Sequence, residues 1–193
     1  MKMSIRNTAF TAISLALLLS ACKLEDPVPM TGEFVFEVEY ENYAWVYQQN
    51  GIFINEHGEV WFYDVAGNSN GEYTGDIGNV GEMIPAATLE EKFSYGAVLL
   101  ETLPAGELRD RINRIPAASI GAVSEPQSRM ADAGRCQFRA YYYHEQRDEY
   151  ELVLLHQSGD AFRVNNSSAA RALTEWLYAM SGPVTGCIAP EFK

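Results

Sequence analysis

Basic charge is what this sequence has least of. Fourteen Lys and Arg stand against 26 Asp and Glu, a formal net charge of −12. An acidic surface repels phosphate, so the balance argues against a nucleic-acid partner and against binding to anionic lipid headgroups. Histidine is scarce as well. His57, His144 and His156 are the three present, no pair has zinc-ligand spacing, and no Cys-x-x-Cys accompanies them. No Gly-x-Ser-x-Gly elbow, P-loop or His-Glu-x-x-His occurs. Asn68, Asn70, Gly71 and Glu72 match part of a calcium loop, but Ala66 and Ile77 occupy its first and twelfth ligand places, and a polar glycine loop is the better reading. No metal and no cofactor is therefore expected. Carboxylates are abundant, yet no spacing singles out a catalytic pair, since such chemistry is decided by separation in space.

What is present begins at the N-terminus. Lys2 and Arg6 make a short positive region, and Ala9 to Ala21 then carries no charge and is mostly Ala, Leu and Ile. A helix needs about 20 apolar residues to cross a bilayer, so this stretch is too short to span and fits a secretory signal peptide. The run Leu19-Ser20-Ala21-Cys22 resembles the lipobox of bacterial lipoproteins. The resemblance covers only the first 23 residues. It implies diacylglycerol on the Cys22 sulfur, cleavage before Cys22, and acylation of the new amine by palmitate. Several acyl chains on one residue make a lasting anchor in the lipid bilayer. Lys23 follows the cysteine where an Asp would imply retention in the inner membrane, so the outer membrane is implied in a Gram-negative host. Removal of the leader takes away two positive charges and no acid, leaving −14. The expected organisation is a signal peptide over 1–21, a lipidated tether over 22–32 with Pro27 and Pro29, and one globular domain over 33–193.

Hydrophobic periodicity organises that domain. Phe34, Phe36, Val38 and Tyr40 alternate with Val35, Glu37, Glu39 and Glu41, which predicts a half-buried strand with an acidic outer face. Gly51 to Val65 reads as a hairpin around Asn55-Glu56-His57-Gly58, apolar on both faces and so central. Residues 66–82 form a loop by composition. Thr88 with Glu91 matches a capping box, and Leu89, Phe93, Ala97 and Leu100 follow helical spacing. Leu108, Ile112 and Ile115 predict a short helix ending before Pro116, and 117–135 reads as a long surface loop. A second hairpin joins 137–145 to 150–157, and Ser158-Gly159-Asp160 turns into one more strand. If Glu145 pairs with Tyr150, then His144 and His156 fall on opposite sheet faces. Asn166 or Ser167 caps a last helix with the stripe Ala169, Leu173, Trp176, Leu177 and Met180, stopped at Gly182-Pro183. The order predicts an α+β fold: a mainly antiparallel sheet with two or three helices packed on it.

With Cys22 assigned to lipid, Cys136 and Cys187 remain. An exported pair can oxidise and an even remainder supports a disulfide; two free thiols are the alternative. Tyr141, Tyr142, Tyr143 and Tyr150 cluster in the second hairpin. Sheet packing accounts for most of these rings, and Tyr141 with Tyr143, sharing one face, is the first choice for a contact surface. The function expected is a membrane-anchored, non-catalytic interaction module of the cell envelope, with a basic protein or a glycan as partner. The alternatives are an envelope hydrolase with acidic catalytic residues, or an acidic inhibitor of a basic enzyme such as a lysozyme.

Overall fold

The computed structural model describes residues 33–44, 47–65, 81–94 and 97–191. The leader, Cys22, the tether and the partial calcium-loop match at 68–72 lie outside the described residues. Among the described residues nine strands form one antiparallel sheet: β1 (Phe34–Asn42), β2 (Gln48–Asn55), β3 (Glu59–Asp64), β4 (Met83–Pro85), β5 (Val98–Thr102), β6 (Gln127–Ser128), β7 (Arg135–His144), β8 (Glu149–Gly159) and β9 (Ala161–Val164). Their spatial order is β5-β3-β2-β1-β7-β8-β9-β6, with β4 added to the turn end of β8. The helices are α1 (Ala86–Phe93), α2 (Ala105–Ile112), α3 (Ile115–Ser119) and α4 (Ser168–Met180). The fold is α+β with a mainly antiparallel sheet, as the order of periodic segments predicts. None of the described helices is long and apolar enough to cross a membrane.

Helices cover both faces of the sheet. On one, Phe36, Val38, Ile52, Ile54, Phe138, Ala140 and Val153 pack against Leu108 of α2, Ile115 and Ala118 of α3, and Ala170, Leu173 and Leu177 of α4. On the other, Phe53, Tyr63, Tyr141, Tyr150 and Leu154 pack under Leu89 and Phe93 of α1. Burial of so many large side chains at about 25 cal/mol per Å2 of apolar area supplies the main driving force. The two-sided cover explains why the first hairpin is apolar on both faces.

Five expectations are corrected. The acidic face of β1 is not an outer one: Glu37, Glu39 and Glu41 are all buried. Thr88 lies inside α1, whose N-cap is Pro85, so it closes no capping box. The helical spacing breaks after Phe93, because Leu99 and Leu100 belong to β5, where they complete the open edge of β3. Pro116 begins a helical turn instead of ending one, since a proline in the first turn loses no hydrogen bond that the helix would have made. The second hairpin pairs Tyr143 with Tyr150, and an irregularity between Phe138 and Arg139 sets His156 opposite Phe138. That bulge brings His144 and His156 to the same sheet face, though at opposite ends of the hairpin. The last helix is as expected: the Ser167 hydroxyl accepts from the Ala170 amide at 3.0 Å.

Candidate functional site

Beneath α1 the sheet carries a cluster of charge closed to solvent. β1 supplies Glu37 and Glu39, β7 supplies Arg139 and α1 supplies Lys92, and all four side chains are buried. Strand register brings them together. Glu37 stands directly opposite Arg139, Glu39 opposite Gln137 and Glu41 opposite Arg135. Lys92 reaches them from above because it shares a helix face with Leu89, three residues earlier. Its ammonium bonds both Glu37 and Glu39. Arg139 donates to Glu37 at 2.9 Å and lies 3.1 Å from Glu39. The Tyr63 and Tyr141 hydroxyls donate to Glu37, and the Gln49 amide donates to Glu39 at 3.1 Å.

Two carboxylates and two cations cancel, which is the condition under which charge is tolerated in a core. Burial alone would raise the pKa of Glu39, but the Arg139 and Lys92 charges overcome it and hold the carboxyl well below the usual range. Burial, reinforced by the negative Glu37 and Glu39, pushes the Tyr63 phenol well up, so it stays a neutral donor. A glycine makes room for that ring. Gly51 sits between Glu39 and Tyr63 in register, and a Cβ there would come within 2.5 Å of the Tyr63 hydroxyl. The cluster is a closed network: its charges serve one another, none faces solvent, and Arg139 Nε alone of its guanidinium nitrogens is left without a partner.

The accessible chemistry lies at the other end of the same face. Phe34, Phe53, Trp61 and Phe93 line a groove of about 330 Å3, with Glu33, Glu59 and Glu90 along it. Three elements build it: β1 and its lead-in residue, the β2–β3 hairpin, and α1. Phe53 stacks on Phe93 at 4.2 Å between centroids and lies parallel to Trp61 at 6.4 Å. The Phe rings are buried, Trp61 is half-buried, and Glu33 and Glu90 are exposed. Asn55 and Trp61 donate their side-chain N–H groups to Glu59, at 2.7 and 3.3 Å. Among the described residues, no basic side chain lines the groove and none of its three carboxylates has an ion-pair partner.

A second cleft, of about 440 Å3, gathers Glu41, Tyr43, Asp132, Arg135 and Asp160. Two of its three acids are occupied. Glu41 accepts from Arg135 and from the Tyr43 hydroxyl, and Asp160 accepts from the Ala133 amide at 2.8 Å.

Cys136 and Cys187 form a disulfide, with Cα atoms 5.2 Å apart. The tyrosines divide. Tyr141 is fully buried with its hydroxyl on Glu37, which removes it as a contact surface. Tyr143 is half-buried and donates to Asp148 at 2.7 Å. Its face is the aromatic face beneath α1, so alternation in this strand does not separate a core side from a binding side. His144 lies 3.2 Å from Glu151 and His156 is buried, and among the described residues no group of His, Cys, Asp and Glu is placed to hold a metal ion. Trp61 and its acidic neighbours were not singled out as a site from the sequence. Glu33, Trp61 and Glu90 are brought together only by tertiary packing, and a Trp in an apolar strand reads as core. No protein-family model, curated protein or solved structure matches the chain.

Proposed function

We propose that this chain is a lipid-anchored, non-catalytic binding module of the bacterial cell envelope, held in the bilayer through acylated Cys22 and engaging its partner at the Trp61 groove. The observation that carries the binding reading is the division of chemistry between interior and surface. The interior acids are sealed against solvent and neutralised by Lys92 and Arg139. Glu33 and Glu90 beside Trp61 are exposed and have no ion-pair partner, next to a half-buried aromatic ring. Half-exposed aromatic rings flanked by polar side chains are the usual anchors of recognition surfaces. The anchor supports the same reading, because confinement to a membrane raises the local concentration for partners on that surface. With Lys23 after the cysteine, the outer membrane is the site proposed in a Gram-negative host.

Two experiments test this. Labelled fatty acid is expected in the native chain and not in Cys22→Ser; equal labelling of both removes the anchor. A photo-crosslinking residue at position 90 is expected to trap an envelope partner, with the adduct lost in Trp61→Ala. Hydrolysis of a glycan, peptide or ester, abolished by Glu41→Gln in the second cleft, would overturn the non-catalytic reading in favour of an envelope hydrolase.

A further inference from the structure

We infer that the Trp61 groove takes a cationic side chain, arginine above all, presented by a basic polypeptide. The inference rests on the groove being the binding site and adds the chemistry of its occupant. That chemistry follows from counting what the groove has left to offer. Among the described residues each side chain with a donor already uses one: Asn55 and Trp61 donate to Glu59, and the Ser94 hydroxyl donates to the Glu91 carbonyl at 2.7 Å. Asn55 is committed on its acceptor side too, taking the His57 and Glu59 amides at 3.1 and 2.9 Å. What remains is acceptors and π-faces: the carboxylates of Glu33 and Glu90, the free oxygen of Glu59, and the exposed part of the Trp61 ring.

Among the described residues an anionic ligand finds no basic side chain there and meets three negative charges. A neutral glycan stacks on tryptophan, but its hydroxyls need donors as well as acceptors, and it leaves the carboxylates uncompensated. A cationic side chain with an apolar stem satisfies every remaining feature. Its stem covers aromatic surface, its N–H groups meet carboxylate oxygens, and its charge sits over an indole face. A guanidinium does this best, because it is planar, stacks on aromatic rings and bonds carboxylates two at a time. The surrounding charge favours the same class of partner, since a chain of net charge −12 attracts basic polypeptides and speeds their encounter.

The test uses the mature lipidated protein in detergent micelles and fluorescently labelled hexa-arginine, hexa-lysine and hexa-glutamate, read by anisotropy. Hexa-arginine is expected to bind more tightly than hexa-lysine, with affinity falling as salt rises, and hexa-glutamate not at all. Trp61→Ala, and separately the pair Glu33→Gln/Glu90→Gln, are expected to weaken hexa-arginine binding about tenfold when measured well below the melting temperature, which the carboxylate pair leaves unchanged and Trp61→Ala lowers through lost packing, and Trp61→Phe to retain most of the binding. Chitohexaose is included as competitor and is expected to displace nothing. Equal hexa-arginine binding by the native chain and the groove variants, which would mean general attraction to an acidic surface, overturns the inference, as does displacement by chitohexaose. If either occurs while the position-90 crosslink is still lost in Trp61→Ala, the groove stands as the site and only its occupant is wrong. If the crosslink also fails, the proposed function falls with it.

Discussion

Gly51 shows how one missing side chain supports the buried cluster. The Tyr63 hydroxyl fills the space where a Cβ would stand and reaches Glu37 and Glu39. Gly51→Ala must displace that ring or the facing backbone of Val38. Overpacking of this kind costs about 1–3 kcal/mol, and the loss of a donor to a buried carboxylate adds to it. We therefore expect a lower urea midpoint with an unchanged slope; a midpoint equal to that of the native chain would show that the packing is loose. His156 gives a second residue-scale expectation. It is buried edge-on to Phe138 and Phe162, and burial holds its pKa down at about 4, against an ordinary 6.5, despite the opposing influence of Glu191. The unfolded chain takes up this proton near pH 6.5 and the folded chain only near pH 4, so unfolding binds a proton between them. Stability must fall as pH falls through that window, by about 3 kcal/mol in total, and the term is absent at pH 7. Glu39 acts in the same direction but only below its ordinary value of 4.5, because its folded pKa lies well beneath that. The leg from pH 6.5 to 4.5 therefore reports His156, and His156→Phe is expected to flatten it in a series of urea titrations. At this scale β1 misleads a reader of the sequence. Glu at alternate positions looks like a wet face until β7 is laid antiparallel beside it, when Arg135, Gln137 and Arg139 fall opposite Glu41, Glu39 and Glu37.

Elements were legible where periodicity and local chemistry agreed. α4 has both a stripe and a capping serine, and the two hairpins have alternation flanking turn residues. Reading failed where a long-range partner decided the outcome. β5 is a short apolar segment that adopts extended structure because β3 offers an unpaired edge, and no local feature announces that edge. Likewise α1 takes Lys92 into its buried face, against every expectation for a lysine, because two carboxylates wait beneath it. The C-terminal segment is a further long-range case. Cys187 bonds Cys136 on β7, and Thr185 exchanges two hydrogen bonds with Asn50 on β2, at 2.9 and 3.0 Å. The bridge closes a loop across a sequence separation of 51, for which chain entropy gives about 4 kcal/mol before any strain is deducted. The double variant Cys136→Ala/Cys187→Ala is expected to lose a large part of that in equilibrium unfolding. Peptide mapping of exported protein without reductant is expected to recover the two cysteines linked; two alkylatable thiols there would contradict the bridge.

Over the whole molecule, charge is sorted by depth. Lys92 and Arg139 cancel Glu37 and Glu39 inside, so the net charge of −12 is carried by the rest of the chain. The buried acids hold the fold and the groove acids wait for a partner. These two roles separate experimentally. Lys92→Met leaves two buried carboxylates to one guanidinium, and removing one member of such a network costs about 3–5 kcal/mol. Trp61→Ala truncates a half-buried ring at the margin of the core beneath α1 and leaves every buried charge paired. The measurement is melting temperature alongside position-90 crosslinking yield for both variants, with the crosslinking done well below either melting point. The account expects Lys92→Met to melt markedly lower yet still capture the partner, and Trp61→Ala to melt less far below the native chain and lose capture. Loss of capture in Lys92→Met while it remains folded, with capture retained in Trp61→Ala, would contradict it.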